Sequence, residues 1–68
     1  MQNKFHERFK ECLEEKGLSQ SEFARRAGVA QTTITQYFSR GSEPTLDILI
    51  KICIALGETS DYLLGLKD

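Results

Sequence analysis

The chain has 68 residues, enough for one small domain, of which 40% are hydrophobic and 28% are charged. This composition is typical of a globular protein and excludes a disordered or fibrous chain. No apolar run reaches the roughly 18 residues that a membrane span requires, and the start of the chain lacks the apolar segment of a signal peptide. We therefore expect a single cytoplasmic domain over residues 1–68 that does not contact a membrane.

The formal net charge of −1 conceals an uneven distribution of charge along the chain. Residues 1–18 sum to zero, whereas residues 19–42 carry three arginines against one glutamate and sum to +2. The last third, residues 43–68, sums to −3. A polyanion would therefore contact the middle third of the chain. The long-range electrostatic attraction between the polyanion and the whole chain would be weak.

The sequence contains no pattern typical of catalysis or metal binding. The two cysteines, Cys12 and Cys53, and the single histidine, His6, are not spaced as zinc ligands usually are. We interpret both cysteines as small core residues and His6 as a surface residue of the first helix without a chemical role. No serine, histidine and acid arrangement and no phosphate-binding glycine motif is present, so we predict neither an enzyme nor a bound cofactor or metal.

The first helix is predicted over about residues 4–16, because apolar side chains recur there at helical spacing. A second helix is predicted over about residues 20–27. It opens with Ser19 and Glu22, which are three residues apart and have the spacing of a capping box. Gly28 follows its last residue, and glycine tolerates the positive φ that such a turn requires.

The third helix is predicted over about residues 31–39, although the β-branched run at residues 32–35 would favour a strand by propensity alone. Ile34 and Tyr37 recur at helical spacing, and a strict alternation of apolar and polar residues fails. Four β-branched residues remove up to about 2 kcal/mol of intrinsic helicity. Tertiary packing must therefore hold this helix.

Two further helices are predicted over about residues 45–56 and 60–64. Thr45 is a candidate N-cap for the fourth helix, which is apolar nearly all round and is therefore expected to be the central buried helix. Its outward line of side chains ends in Ile54. The fifth helix is short and is followed by a capping glycine.

The second and third helices, joined by a glycine turn, have the spacing of a helix-turn-helix, whose second helix can enter the major groove of DNA. Ala24 is small enough to let the two helices cross closely, and Val29 and Ile34 are placed to set their angle. Pairs of helices with glycine turns occur in many unrelated domains. The spacing alone therefore does not define a family.

The segment GLSQSEFARRAGVAQTTITQYF, residues 17–38, resembles the helix-turn-helix of the lambda-repressor-like family, which includes the Cro/CI and XRE-type regulators. The positions that match the family pattern are Gly17, Leu18, Ser19, Gln20, Ala24, Gly28, Val29, Ile34 and Tyr37. The resemblance continues through residues 43–57 and 61–65 and covers about residues 5–65. It implies a compact, all-α, five-helix lambda-repressor-like DNA-binding domain with the helix-turn-helix at helices two and three.

Four positions depart from the family pattern. Ala30 stands where the family usually has a serine cap for the recognition helix, a cap that stabilises by about 1 kcal/mol. Phe38 replaces a glutamate that pairs in many members with an arginine of helix one, here Arg8. Glu58 replaces an apolar residue, and Ile54 replaces a lysine, which suggests that the outward face of helix four does not simply meet solvent.

The resemblance makes the third helix the recognition helix and its outward side chains the readers of DNA. Glutamine offers adenine a bidentate donor and acceptor pair, and threonine offers a hydroxyl and a methyl group. The residues implied to read base edges are Gln31, Thr32 and Gln36, followed by Thr33 and Thr35. The residues implied to contact phosphate are Gln20, Arg25, Arg26, Ser39, Arg40 and Ser42.

The partners follow from the same resemblance. We expect a transcriptional regulator that binds a two-fold symmetric operator in double-stranded DNA as a homodimer. Of the two modes of regulation, we expect repression. We predict the dimer interface at Ile54, Tyr62 and Leu66, because these apolar side chains exceed what the core needs.

Alternative interpretations stay open at this point. From composition alone, the threonines and glutamines of the third helix form a neutral polar surface, and Arg25 and Arg26 form a solvated helix face. The chain is alternatively a protein-interaction module, such as an antitoxin-like or partner-binding helical domain with little affinity for DNA. It is also compatible with a fragment of a longer repressor.

Overall fold

The computed structural model describes residues 3–67, and this range contains five α-helices. They are α1 (Phe5–Lys16), α2 (Gln20–Ala27), α3 (Gln31–Ser39), α4 (Leu46–Leu56) and α5 (Ser60–Leu64). No strand occurs in the described range, and the predicted all-α class is confirmed, including the helical state of residues 32–35. Residues 1, 2 and 68 of the predicted domain lie outside the described residues.

Helices α2 and α4 begin at the capping residues that the local sequence indicates. The Ser19 Oγ accepts a hydrogen bond from the Glu22 N–H at 3.0 Å, and the Glu22 carboxylate accepts one from the Ser19 N–H at 3.3 Å, which confirms the predicted capping box. Thr45 caps α4 by accepting from the Ile48 N–H at 3.3 Å. Thr45 is therefore the N-cap, and α4 starts one residue later than predicted. Helix α1 also starts one residue later than predicted, at Phe5, and Lys4 occupies its N-cap position.

The core is organised around the aromatic ring of Phe9 on α1, which is fully buried. The ring centroid of Phe9 lies 5.1 Å from that of Phe23 on α2 and 5.3 Å from that of Phe38 on α3. Phe5, one helical turn earlier on α1, lies 5.4 Å from Phe9 and meets Tyr37 of α3 edge-on at 5.7 Å. These pairs lie in the range in which aromatic rings attract one another, so they join α1, α2 and α3 into one unit.

The prediction that α4 is the central buried helix is wrong. Leu49, Ile52 and Leu56 face the core, because α4 packs against α2 and α5 on that side. Leu46 and Ile50 are 79% and 57% exposed, although both are large and apolar. An apolar composition all round a helix predicts complete burial only when neighbouring elements surround it, and five short helices do not surround α4.

Arg8 on α1 binds the C-terminal end of the described chain. Its Nη1 donates to the carbonyl oxygens of Tyr62 at 2.7 Å and Lys67 at 2.6 Å. The guanidinium carbon lies 4.5 Å from the centroid of the Tyr62 ring, which is a cation–π contact. With Phe38 in the place of the family's glutamate, this arginine is held by α5 and the residues after it, while Phe38 itself packs on Phe9.

The two cysteines behave as the sequence analysis interprets them. Cys12 is buried and Cys53 is half-buried against the core, and both thiols are free. Burial raises the pKa of each thiol, which keeps it in the neutral form. Within residues 3–67, no helix is long and apolar enough to cross a membrane, and no three His, Cys, Asp or Glu side chains come together to hold a metal ion.

The capping box predicts a pH dependence of stability. Hydrogen bonds from the Ser19 backbone and side chain lower the pKa of the Glu22 carboxyl. A pKa that is lower in the folded than in the unfolded chain adds stability above the ordinary pKa of a glutamate, and this stability is lost as the pH falls through the lowered value. The variant Glu22→Gln keeps an acceptor oxygen but cannot ionise. We expect the parent to be the more stable protein near neutral pH and this advantage to shrink in acid.

The measurement is the melting temperature of both proteins by circular dichroism across the acidic range. A difference between parent and Glu22→Gln that stays constant with pH would contradict a contribution from the ionised carboxylate.

Candidate nucleic-acid interface

The turn between α2 and α3 sets the angle at which these two helices meet. Gly28 adopts φ +75°, in the left-handed region, where an L side chain would be strained. The N–H groups of Gly28 and Val29 both donate to the carbonyl of Ala24 at 3.0 Å. Ala24 is 2% exposed, so a larger side chain there would push the helices apart. The turn therefore has the geometry that the helix-turn-helix pattern predicts.

The inner face of α3 is held by three apolar side chains. Ile34 is fully buried and Tyr37 is 5% exposed, while Phe38 stacks on Phe9. Burial raises the pKa of the Tyr37 hydroxyl. These contacts anchor a helix whose β-branched residues oppose its formation, as the sequence analysis requires.

The outer face of α3 is exposed and forms a shallow depression, here called the α3 groove. The residues that line it are Gln31, Thr32, Thr35, Gln36, Ser39 and Arg40. The fold thus brings together four of the five residues predicted to read bases and two of those predicted to contact phosphate. Thr33 is the exception, since it is half-buried and its backbone N–H bonds to the carbonyl of Ala30 at 3.1 Å.

A hydrogen bond joins the predicted phosphate contact on α2 to a predicted reader on α3. The Thr35 Oγ1 donates to the Gln20 Oε1 at 3.0 Å. The Thr35 hydroxyl keeps its lone pairs and its methyl group for a ligand, and the Gln20 amide keeps its two N–H donors. The two residues are 15 positions apart in the sequence. No local pattern predicts their bond.

The other predicted phosphate contacts lie near the C-terminal ends of α2 and α3 and in the loop that follows α3. Arg25 and Arg26 are exposed in the last turn of α2, and Ser39 and Arg40 end α3. Ser42 lies further along, in the loop between α3 and α4, and is half-buried. The middle third of the chain therefore exposes three arginines around the helix-turn-helix, as its positive charge predicts.

His6 has a structural role that the sequence analysis missed. Its Nε2 lies 2.7 Å from the Ser42 carbonyl oxygen, and because a carbonyl only accepts, Nε2 carries the proton. A second contact nearby runs from the Asn3 amide to the Glu43 carboxylate at 2.9 Å. His6 is half-buried rather than fully at the surface, because the loop after α3 returns over the start of α1.

The three residues predicted for a dimer interface have different surroundings. Ile54 is 76% exposed on α4 and Leu66 is 73% exposed after α5, whereas Tyr62 lies beneath the guanidinium of Arg8. Leu46 and Ile50 were missed, and they lie on the same face of α4 as Ile54. Their spacing of four residues is visible in the sequence, but a helix that is apolar nearly all round predicts only the line ending in Ile54 to face outward.

The comparisons with known proteins bear on this arrangement of helices. The model of the helix-turn-helix family matches residues 9–63, which include α2, the turn and α3. The chain belongs to the lambda-repressor-like, XRE-type helix-turn-helix family. Among solved structures, a transcriptional regulator from Listeria innocua is similar to this family member, with a TM-score of 0.82 and 25% sequence identity.

The likeness to the Listeria regulator covers 100% of this chain and 64% of the Listeria chain, so this chain spans about 64% of that protein's length. No curated protein sequence matches this family member. The family and the structural neighbour both support the prediction that the protein is not an enzyme.

The missing side-chain cap of α3 leads to a prediction about stability. Ala30 has the extended backbone of an N-cap, φ −68° and ψ 140°, but supplies no side-chain acceptor. Ser19, Thr45 and Thr59 each cap their helices by accepting from the N–H three residues on. Ala30→Ser should give α3 the same bond and raise the free energy of unfolding by about 1 kcal/mol, measured by urea denaturation.

Ala30→Val is the matched control, because valine readily adopts the extended backbone conformation but has no side-chain oxygen to accept a hydrogen bond. Thr45→Ala should lower the free energy of unfolding by about the amount that Ala30→Ser adds. Equal stability of Ala30→Ser and Ala30→Val would show that the start of α3 has no need of a cap.

Proposed function

We propose that this family member is a sequence-specific regulator of transcription that binds duplex DNA, reads the major groove with α3, and acts in the cytoplasm as a repressor. The observation that carries the proposal is the two-sided character of α3. One side is anchored in the core by Ile34 and Tyr37, and the other exposes the α3 groove of glutamines and threonines that ends in Arg40. The helix-turn-helix family and the Listeria transcriptional regulator support a role in DNA binding.

The neutral side chains of the α3 groove suit direct reading of bases. Gln31 and Gln36 each carry an amide that can bond adenine through one donor and one acceptor. Thr32 adds a hydroxyl and a methyl that packs against the methyl group of thymine. The hydroxyl proton of Thr35 is engaged with Gln20, so Thr35 offers base edges an acceptor and a methyl group.

The cationic and amide groups around the groove suit contacts with phosphate. Arg40 directly follows α3, and Arg25 and Arg26 lie in the last turn of the neighbouring helix α2. Gln20 presents its amide N–H donors, because its oxygen is held by Thr35. With a net charge of −1 for the whole chain, these local contacts rather than long-range attraction would supply the electrostatic part of the affinity.

The proposed unit is a homodimer on a two-fold symmetric operator. Two recognition helices would then read half-sites about one helical turn, roughly 34 Å, apart. The exposed side chain of Ile54 supports an interface between two copies through α4, whereas Leu66 lies beyond α5 and the ring of Tyr62 is covered by the guanidinium of Arg8. Repression follows where such an operator overlaps a promoter, since a bound dimer excludes the polymerase.

A second candidate function is a protein-interaction module with little affinity for DNA. The apolar side chains of Leu46, Ile50 and Ile54 on α4 favour it, because large exposed apolar groups mark binding surfaces for other proteins.

Selection from a random pool of duplex DNA at physiological salt separates the two candidates. A regulator should enrich one sequence motif and bind it at least about 10³-fold more tightly than non-specific DNA. A pool that stays random after several rounds would contradict the regulator and favour the interaction module.

The proposal assigns some residues to read bases and others to contact phosphate. This division predicts that variants of the two groups behave differently. Gln31→Ala should weaken binding to the selected site by about 1 to 3 kcal/mol and relax the preference at one base pair, because it removes a bidentate contact to a base. Repeating the selection with this variant shows which position has become degenerate.

Arg40→Ala should weaken binding to all sequences alike and reduce the slope of log affinity against log salt by about one unit, because it removes one phosphate contact. Lys16→Ala is the control, since it removes the same charge at the end of α1, outside the α3 groove. If Gln31→Ala and Arg40→Ala change specificity and salt dependence in the same way, the division is wrong.

A further inference from the structure

Three of the four large hydrophobic side chains that the described residues expose lie on one side of α4. Leu46 is 79% exposed, Ile50 57% and Ile54 76%, and the fourth, Leu66, lies beyond α5. The first three are spaced four residues apart, so they form one stripe along the helix, here called the α4 face. One side of this stripe runs into an open, mostly apolar groove that reaches the start of α5 at Thr59.

The other edge of the α4 face carries one acid and one base. Asp47 and Lys51 are both exposed, and each follows a member of the stripe by one residue. They therefore lie along the same edge of the helix, four residues apart. A helix face that only meets solvent is mostly polar. This face instead combines an apolar stripe with one charged edge, which is typical of a protein–protein interface.

We propose that the α4 face binds the α4 face of a second copy of this chain, with the two helices antiparallel around a two-fold axis at Ile50. The stripe is symmetric about this residue, because Leu46 and Ile54 lie four positions before and after it. A two-fold axis there places each Leu46 against Ile54 of the partner and the two Ile50 side chains against each other. The same patch is used by both copies, which a closed dimer requires.

The charges on the edge of the α4 face decide the direction of pairing. In the antiparallel arrangement, the same edges of the two helices face each other. Asp47 then lies at about the level of Lys51 of the partner, with an offset along the axis of about 3 Å, two residues of helical rise. Opposite charges therefore meet twice across the two-fold axis. Parallel packing would instead place the charged edge of each helix against the uncharged edge of the partner, where neither charge meets an opposite one, so the charges favour the antiparallel direction.

This arrangement differs from the interface predicted at Ile54, Tyr62 and Leu66. It keeps Ile54, adds Leu46 and Ile50, and does not need Tyr62, whose ring is covered by the guanidinium of Arg8. The inference takes its biological role from the proposed function, because it supplies the second recognition helix. Association is nevertheless measured without DNA, so the failure of either proposal is distinguishable from failure of the other.

The first experiment is sedimentation equilibrium of the full chain without DNA, over a range of concentrations, for the parent, Ile50→Lys and Leu66→Lys. Ile50→Lys buries a charge beside its own copy at the centre of the interface and should raise the dimer dissociation constant at least about 30-fold. Leu66→Lys is the matched control, since it makes the same kind of change at another exposed apolar residue, and it should leave the constant unchanged.

A parent that is monomeric throughout would overturn the proposal and leave the α4 face to a partner of different chemistry. A dimer that Leu66→Lys dissociates and Ile50→Lys does not would also overturn it, in favour of the interface after α5.

The second experiment tests the direction of the helices by charge reversal. Asp47→Lys and Lys51→Asp should each weaken the dimer by about threefold to tenfold, because each creates two like-charge contacts across the two-fold axis. The double variant exchanges the two charges and should return the dissociation constant to near that of the parent. It has the net charge of the parent, so a general charge effect cannot explain a rescue. A double variant that is as weak as the two single changes combined would rule out the antiparallel pairing.

Discussion

The packing of the Phe9 ring between α1, α2 and α3 is the interaction on which the rest of the structure depends. Phe23 and Phe38 close on this ring from the other two helices, with centroid distances of 5.1 and 5.3 Å. Removing a buried phenylalanine typically costs about 3 to 5 kcal/mol, whereas the β-branched run of α3 costs up to about 2 kcal/mol of helicity. Packing therefore outweighs propensity, and a segment with the local preference of a strand becomes a helix.

Because the core holds α3 by its apolar side chains, the opposite side of the helix is free to carry neutral polar groups. The bond between Gln20 and Thr35 connects this outer face to the start of α2, so a phosphate contact and a base contact would be positioned together. His6 similarly holds the loop after α3 through the Ser42 carbonyl. The orientation of the candidate readers thus depends on contacts from two other helices as well as on α3 itself.

The α4 face is the apolar surface that the packing of the five helices leaves uncovered. A domain of five short helices covers one side of α4, with Ile52 fully buried, and leaves Leu46, Ile50 and Ile54 to water. Small domains bury a smaller fraction of their surface than large ones, so an apolar remainder of this kind is covered efficiently by a second copy. The same pairing would join two recognition helices into one particle.

The sequence by itself determined the features that depend on neighbours within one turn or one helix. These are the capping box of Ser19 and Glu22, the glycine turn after α2 and, from helical spacing, which residues of α3 share its inner face and which its outer face. It did not determine which side of α4 is covered, or that Arg8 binds carbonyls 54 and 59 positions away and His6 one 36 positions away. Spacing along a helix reports which residues share a face, but only the packing of the other helices decides what that face meets.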